Sequence, residues 1–321
     1  MLFGASVSRP MLDSPEIPML VRRYCRIITL GGALYWTKVH PEAETFNFAD
    51  ADFLSDYARQ NGLLARGHTL VWHESVPPWL PSALAGPNPR GVLEKHISTV
   101  VGHLHGKLHS WDVVNEVIAP ENGRSDGLRD SVFLRTLGPE FVGTAFRLAR
   151  AADPQPLLGY NEYGIEPDGA FFERKRTAVL RLLESLRKSE VPIDYFGVQG
   201  HLDGTQRYSE AVFGQFLREV EGLGLRVMIT ELDVDDRALP TDPPKRDRKI
   251  ADIYDRFLSI TLGAVRPEAV ITWGLLDRDS WYQHIRPRND GTPQRSLPFD
   301  DDGRPKAAWS VIARRLSLRV S

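Results

Sequence analysis

The sequence predicts an α/β protein built as a single (β/α)8 TIM barrel. Three observations carry that prediction. Eight short apolar runs are spaced along the 321 residues, longer segments with helical periodicity separate them, and polar side chains suited to chemistry collect just after the runs. Continuous apolar runs are the pattern of parallel strands buried on both faces. Eight is the number of strands that closes such a barrel. A chain of this length ordinarily suggests two domains, but α/β barrels reach it as one, so residues 1–321 are read as a single catalytic barrel domain.

The runs, in order, are Leu2–Val7, Arg26–Leu30, Leu63–Arg66, Ser110–Val114, Leu157–Tyr160, Tyr195–Val198, Arg226–Thr230 and Ala269–Trp273. Between them, Asp50–Asn61 carries Phe53, Leu54 and Tyr57 at helical spacing. Phe171–Glu190 places Val179, Leu180, Leu183 and Leu186 among Arg and Glu, and Arg248–Leu262 places Ile250, Ile253, Tyr254 and Phe257. The Pro-rich patches at Pro77-Pro78, Pro81 to Pro89 and Pro240 to Pro244 lie between periodic segments and read as loops. The one long irregular stretch is Asp233 to Arg246.

Composition removes other classes. Hydrophobic residues make up 42% and charged residues 26%, ordinary for a globular chain that buries a large core. Forty Lys and Arg nearly balance 42 Asp and Glu, for a net charge of −2, which argues against a nucleic-acid or polybasic membrane surface. No apolar run approaches the roughly 18 residues of a membrane span. The single cysteine, Cys25, excludes an internal disulfide and reads as a small buried hydrophobe. With no leader-like N-terminus, these features point to the cytoplasm; secretion with a leader removed ahead of Met1 is the other reading.

In (β/α)8 barrels the chemistry sits at the C-terminal ends of the strands. There the third run continues into Gly67-His68 and Trp72-His73, the fourth ends in Asn115-Glu116, and the fifth in Asn161-Glu162. The sixth ends in Gln199-Gly200-His201, the seventh in Glu231-Leu232-Asp233, and the eighth at Trp273. Glu116 and Glu231 follow strands four and seven, so both can face one mouth. Paired carboxylates across a cleft suit glycoside hydrolysis: one protonates the leaving oxygen, and the other attacks the anomeric carbon or activates water. A single strand-end Glu is more often an ion-pair partner; two beside Asn, Gln, His and Trp at neighbouring strand ends are not so easily dismissed. No metal site is read. His103 and His105 stand at i and i+2 of a helical stretch and share no face, so they read as surface residues, as do His96 and His109. Asp300-Asp301-Asp302-Gly303 reads as a turn, and Trp111 and Trp309 as core.

Four segments together carry a resemblance. Arg66-Gly67-His68-Thr69-Leu70-Val71-Trp72-His73, Trp111-Asp112-Val113-Val114-Asn115-Glu116-Val117, Gly197-Val198-Gln199-Gly200-His201-Leu202 and Ile229-Thr230-Glu231-Leu232-Asp233-Val234 resemble the motifs of glycoside hydrolase family 10. The likeness runs from Phe3-Gly4 to Pro305-Lys306. Members of that family are mostly retaining endo-β-1,4-xylanases on a (β/α)8 barrel and use no cofactor. The resemblance implies Glu116 as acid/base and Glu231 as nucleophile, with His201 and Asp233 tuning the nucleophile. It implies Asn115 at the sugar 2-hydroxyl and His68, Trp72, Gln199 and Trp273 as walls of the −1 subsite. Trp281 corresponds to an aromatic lid, and Asn161 to a polar residue near the acid/base. The implied partner is carbohydrate, as β-xylosides or xylo-oligosaccharides.

One stretch departs from the family. Where the family carries Glu-Asn-x-Met-Lys-Trp to grip the −2 sugar, this chain reads Gly31-Gly32-Ala33-Leu34-Tyr35-Trp36. Gly31 and Gly32 replace the Glu and Asn, and Tyr35 replaces the Lys. The expectation is a closed or reshaped −2 site and removal of a terminal xylose, or action on a β-xyloside with a non-sugar aglycone. Arg286, Arg288 and Arg295 are expected to help build the aglycone side. The alternatives are an ordinary endo-xylanase with a weak −2 site, a non-catalytic glycan-binding barrel, and a metal-dependent hydrolase, the last disfavoured because no convergent His/Asp set is evident.

Overall fold

The computed structural model describes residues 1–318. Nine parallel strands form one sheet: β1 (Leu2–Val7), β2 (Ile27–Leu30), β3 (Leu64–Trp72), β4 (Ser110–Asn115), β5 (Leu157–Glu162), β6 (Tyr195–Val198), β7 (His201–Asp203), β8 (Arg226–Asp235) and β9 (Ala269–Thr272). Strands β1 to β6 pair in sequence order, β9 joins β1 to β8, and β8 pairs with β6. That last pairing closes an eight-strand barrel, with β7 a short rider on the end of β8. Helices lie between the strands, and no helix among the described residues is long and apolar enough to cross a membrane.

All eight expected strands form, but four run further toward the mouth. β3 extends to Trp72, β4 to Asn115, β5 to Glu162 and β8 to Asp235, so the polar residues expected just beyond the strands mostly stand on them. Register shifts between His68 and Val71, Asp112 and Val114, and Ile229 and Leu232 mark bulges where site residues turn inward. The irregular stretch shrinks to residues 236–242, because Asp242 caps Lys245 N–H at 3.1 Å and Pro243 opens a helix running to Ala264. Proline suits the first helical turn, where its missing N–H has no partner to lose. The helix Pro89–His103 starts the same way behind an Asn88 cap.

Trp111, Trp309 and Cys25 are buried, as expected, and His103 and His105 are exposed. His96 is not a surface residue. It is fully buried, stacked on Trp36 at 3.6 Å and hydrogen-bonded through Nδ1 to Nδ1 of His40 at 3.2 Å. Burial holds His96 well below the ordinary imidazole range, so it packs as a neutral aromatic ring.

Arg288 and Arg295 also differ from expectation. Arg288 is buried and pairs with Asp236 at 3.0 Å, while Arg295 makes a two-pronged bridge to Asp247 at 2.7 and 2.8 Å. Arg288 ties the loop after β9 to the stretch 236–242 after β8, Arg295 ties it to the start of the helix Pro243–Ala264, and neither lines the cleft. Arg286 does line it and reaches Asp235 at 3.3 Å.

Candidate active site

The mouth of the barrel opens into a cleft of about 580 Å³. Its walls include Tyr35, His68, Trp72, Asn115, Glu116, Gln199, His201, Glu231, Trp273 and Trp281. Asn161 and Asp233 lie in the layer directly beneath, both fully buried.

Under the floor sits a polar layer that no apolar-run reading anticipates. Arg66 of β3 is fully buried and reaches Thr29 and Asp112. Asp112 also accepts from the Tyr195 hydroxyl at 2.7 Å and meets His68 Nδ1 at 2.6 Å. The partners of this buried carboxylate favour its charged form: although burial pushes its pKa up, Arg66 and His68 hold it below the usual range. Asp112 thereby fixes the His68 ring, whose other face looks into the cleft.

The two glutamates are joined by amides. Glu116 Oε1 accepts from Asn115 Nδ2 at 3.2 Å and Gln199 Nε2 at 3.0 Å, and its Oε2 accepts from Trp72 Nε1 at 2.9 Å. Asn161 Nδ2 donates to Glu231 Oε1 at 2.6 Å and to Asn115 Oδ1 at 3.0 Å. Asn161 also meets Glu116, but through its backbone: its carbonyl accepts the Glu116 N–H at 2.9 Å. Gly197 makes room for this amide. A Cβ there would stand 2.3 Å from Asn161 Oδ1, so a side chain on β6 would push Asn161 off Glu231.

His201 links the remaining groups. Its Nε2 lies 3.2 Å from Glu231 Oε2 and its Nδ1 lies 2.8 Å from Asp233 Oδ1. Trp281 Nε1 donates to Asp233 Oδ2 at 2.8 Å, and its ring stands 4.8 Å from the His201 ring. Burial disfavours charge on His201, but Asp233 and Glu231 outweigh it and raise the imidazolium to about 10.

The glutamates are driven in opposite directions. Burial raises Glu116 above its ordinary range, and the Glu162 charge raises it further. Burial would raise Glu231 too, but the pull of His68, the hydrogen bond and charge of His201, and the Arg66 charge hold it below. One carboxyl is biased toward its protonated form and the other toward its ionised form, the pairing that acid-assisted glycosyl transfer uses. His68, Asp112 and Glu231 do bring three potential ligand atoms within 4.8 Å of one another, a convergence the sequence reading missed. Asp112 is committed there to Arg66, His68 and Tyr195, which fits a proton-ordering role better than an ion-binding one.

Four further residues shape the site: Glu162, which the sequence placed at a strand end without a role, and Lys175, Tyr163 and Arg129, which it did not single out. Glu162 pairs with buried Lys175 at 2.9 Å and accepts from Tyr160 at 2.5 Å. Lys175 also lies 3.4 Å over the Tyr163 ring. Arg129 reaches both the Glu116 carbonyl and the Tyr163 hydroxyl. Glu162 and Tyr163 adjoin Asn161 at a strand end, a signal that was available; Arg129 stands in an unremarkable loop and offered none.

Residues 1–315 match the sequence model of glycosyl hydrolase family 10. The chain is 37% identical over 314 residues to an endo-1,4-beta-xylanase of Agaricus bisporus, covering 97% of this chain and 89% of that one. It is 33% identical over 311 residues to endo-1,4-beta-xylanase B of Thermotoga neapolitana, covering 96% and 85%. Among solved structures, xylanase 10B of Thermotoga petrophila RKU-1 in complex with xylobiose superposes with a TM-score of 0.87 at 30% identity, covering 99% of this chain and 94% of that one.

Proposed function

The chain belongs to glycosyl hydrolase family 10 and is a glycoside hydrolase acting on O-glycosyl bonds; from that premise we propose that it cleaves β-xylosidic bonds with retention, by double displacement. The observation that carries this reading is the opposite protonation tendency of Glu116 and Glu231 within one cleft.

Glu231 is the nucleophile. His201 and Asn161 hydrogen-bond its oxygens and favour the ionised form that attacks the anomeric carbon. Glu116 gives its proton to the departing oxygen as the bond breaks. Once Glu231 is esterified its charge is gone, which removes one of the influences raising Glu116. Glu116 then takes a proton from the incoming water, whose oxygen attacks the anomeric carbon and releases Glu231. His68, Trp72, Gln199 and Trp273 wall the reacting sugar, and Asn115 meets its 2-hydroxyl. Trp281 closes over the sugar while holding Asp233 and, through it, the His201 proton.

The finer reading is a shortened glycone side. Tyr35 stands 5.3 Å from the Trp72 ring and 5.8 Å from the His68 ring, so it extends the aromatic wall of the reacting sugar. Its phenol is held neutral by burial and by the charges of Glu231, Glu116 and Glu74. A neutral phenol thus occupies the position where the family carries a Lys. The turn before it is rebuilt as well: a Cβ on Gly31 would sit 2.9 Å from Ser6 Oγ and 3.1 Å from the Val7 carbonyl, and Gly32 adopts a left-handed φ of 70°. These features support removal of a terminal xylose or hydrolysis of a simple β-xyloside. The named activity of the relatives favours the second reading, endo-cleavage with a weak −2 site.

Products from xylohexaose, followed in time beside an aryl β-xyloside and its xylobioside, separate these readings. Early xylobiose and xylotriose with the xylobioside preferred means endo-cleavage. Xylose alone, or activity confined to the simple xyloside, means a closed −2 site. Glu231→Ala should abolish turnover in either case, and unchanged turnover would remove the proposed mechanism.

A further inference from the structure

Beyond the acid pair, the cleft has an apolar lip that the mechanism does not use. Six large apolar side chains are exposed among the described residues, and two of them, Phe171 (39%) and Ile285 (53%), line this one cavity. They come from separate loops. Phe171 and Phe172 open the helix Ala170–Lys188 after β5, and Ile285 ends the short helix Tyr282–Ile285 after β9. Phe171 and Phe172 meet edge to face at 5.3 Å, and Pro167 continues the same wall. Gly164 and Gly169 flank the Phe172 ring and put no side chain on it, where a Cβ would touch it at 3.9 and 3.7 Å.

The position of this lip follows from the strand order. In a ring of eight, β5 and β6 lie across from β1 and β2. Tyr35 follows β2, at the glycone end by the family's arrangement. Tyr163, Phe171 and Phe172 follow β5, and Gln206 follows β7, so they stand on the far side of Glu116 and Glu231, where the leaving group lies; Ile285 follows β9, but the adjoining Arg286 reaches Asp235 of β8, which pairs with Asp203 of β7, so that loop leans toward the same side. A xylose unit there needs polar partners for its hydroxyls. Two of the carboxylates on this side are already engaged: Asp235 by Arg237 and Arg286, and Asp203 by Thr205. Beside the polar groups of Tyr163, Gln206 and Arg286, the hydrocarbon of Phe171, Phe172, Pro167 and Ile285 stands open toward the substrate.

We infer that Phe171, Phe172, Pro167 and Ile285 form a subsite for an apolar aglycone, an alcohol with an extended hydrocarbon face β-linked to xylose. The inference rests on the proposed β-xyloside hydrolysis and names its leaving group. The reaction balances as ordinary hydrolysis. The bond from the anomeric carbon to the alcohol oxygen breaks, Glu116 supplies that oxygen's proton, and water completes the sugar. Binding energy drawn from the aglycone then takes the place of the grip missing on the glycone side. Covering two such side chains with hydrocarbon is worth roughly 10- to 100-fold in kcat/KM.

The test compares two matched pairs: octyl β-xyloside against xylobiose, and octyl β-xylobioside against xylotriose. The inference expects the octyl member to have the higher kcat/KM in whichever pair the enzyme prefers, by roughly tenfold or more. Phe171→Ser with Ile285→Ser should erase most of that margin, mainly through KM, while the conservative Phe171→Leu with Ile285→Val keeps it. A sugar leaving group preferred in both pairs, or an octyl margin that survives the serine variant, overturns the inference. Faster turnover of the xylobioside pair overturns the terminal-xylose reading alone, because the contrast between octyl and sugar is still measured within that pair.

Discussion

The guanidinium of Arg129 donates from Nε to the carbonyl oxygen of Glu116 at 2.6 Å, gripping the proposed acid/base by its backbone. Glu116 needs such a grip. Its φ is 57°, a left-handed conformation that costs a non-glycine residue about 1–2 kcal/mol. The same guanidinium donates to the Tyr163 hydroxyl at 3.0 Å, so the leaving-group side and the acid share one anchor. Arg129→Met should therefore misplace the Glu116 proton without removing it. The expected signature is selective. Turnover of substrates with poor leaving groups should fall by roughly 10- to 100-fold, within the range attributed to general acid catalysis. A 2,4-dinitrophenyl β-xyloside, whose leaving group needs no proton, should lose far less. Equal losses on both substrates would mean that Arg129 serves stability alone.

The pH profile follows from the same carboxylates. In the proposed mechanism activity needs Glu231 ionised and Glu116 protonated. It should fall on the acid side as Glu231 protonates, below the usual glutamate range, and on the alkaline side as Glu116 ionises, above that range. The Glu162 charge helps hold Glu116 up, so Glu162→Gln should move the alkaline limb of kcat/KM to lower pH and leave the acid limb nearly in place. This variant also strips buried Lys175 of its partner, a change that costs about 3–5 kcal/mol in comparable sites. The profile should be recorded well below its unfolding temperature. An alkaline limb that stays put would show that burial and the Glu231 charge, not Glu162, set the acidity of Glu116.

The strands were legible because parallel barrel strands are continuous apolar runs, and their alternation with amphipathic helices has few other solutions. Strand ends were less legible where β3, β5 and β8 reach the mouth, since His68, Asn161 and Glu231 interrupt the apolar pattern while the backbone stays extended. Glu116 and Glu231 stood out by type and place. Arg66, Asp112, Glu162 and Lys175 did not, because a pattern reading assigns charge to the surface, and each is buried with a partner from a distant segment. His96 was missed for the same reason: its neutral ring behaves as an aromatic against Trp36. Arg288 and Arg295 carried a cue pointing the wrong way, since their partners Asp236 and Asp247 come from outside their own loop.

His201 ties catalysis to stability. Its raised pKa means that folding favours the protonated ring. That contribution is fully present below about 6.5, the ordinary imidazole value, and is lost as pH rises through about 10. In His201→Gln the wild-type decline in melting temperature between pH 7 and 10 should flatten. The same variant removes a hydrogen bond and a positive charge from Glu231, so the acid limb of kcat/KM should move to higher pH. A melting profile with the wild-type slope would mean that His201 is neutral in the folded protein.

The glycone side can be rebuilt by two substitutions, and the backbone says which two. Gly31 is closed to change, since a Cβ there would press on Ser6 and the Val7 carbonyl. Gly32 is open: no atom but the Tyr35 ring lies within 4 Å of its Cβ position, and among non-glycine residues Asn tolerates its φ of 70° well. Tyr35→Lys restores a cation that can meet sugar hydroxyls and removes the edge that Gly32 faces. The double variant Gly32→Asn with Tyr35→Lys should raise kcat/KM on an aryl β-xylobioside relative to the aryl β-xyloside by roughly tenfold, the worth of one or two charge-assisted hydrogen bonds. It should also bring xylobiose forward among the early products from xylohexaose. An unchanged ratio in a folded variant would mean that Tyr35 does not set the length of the glycone site, and endo-cleavage by the wild-type enzyme would then be the better reading.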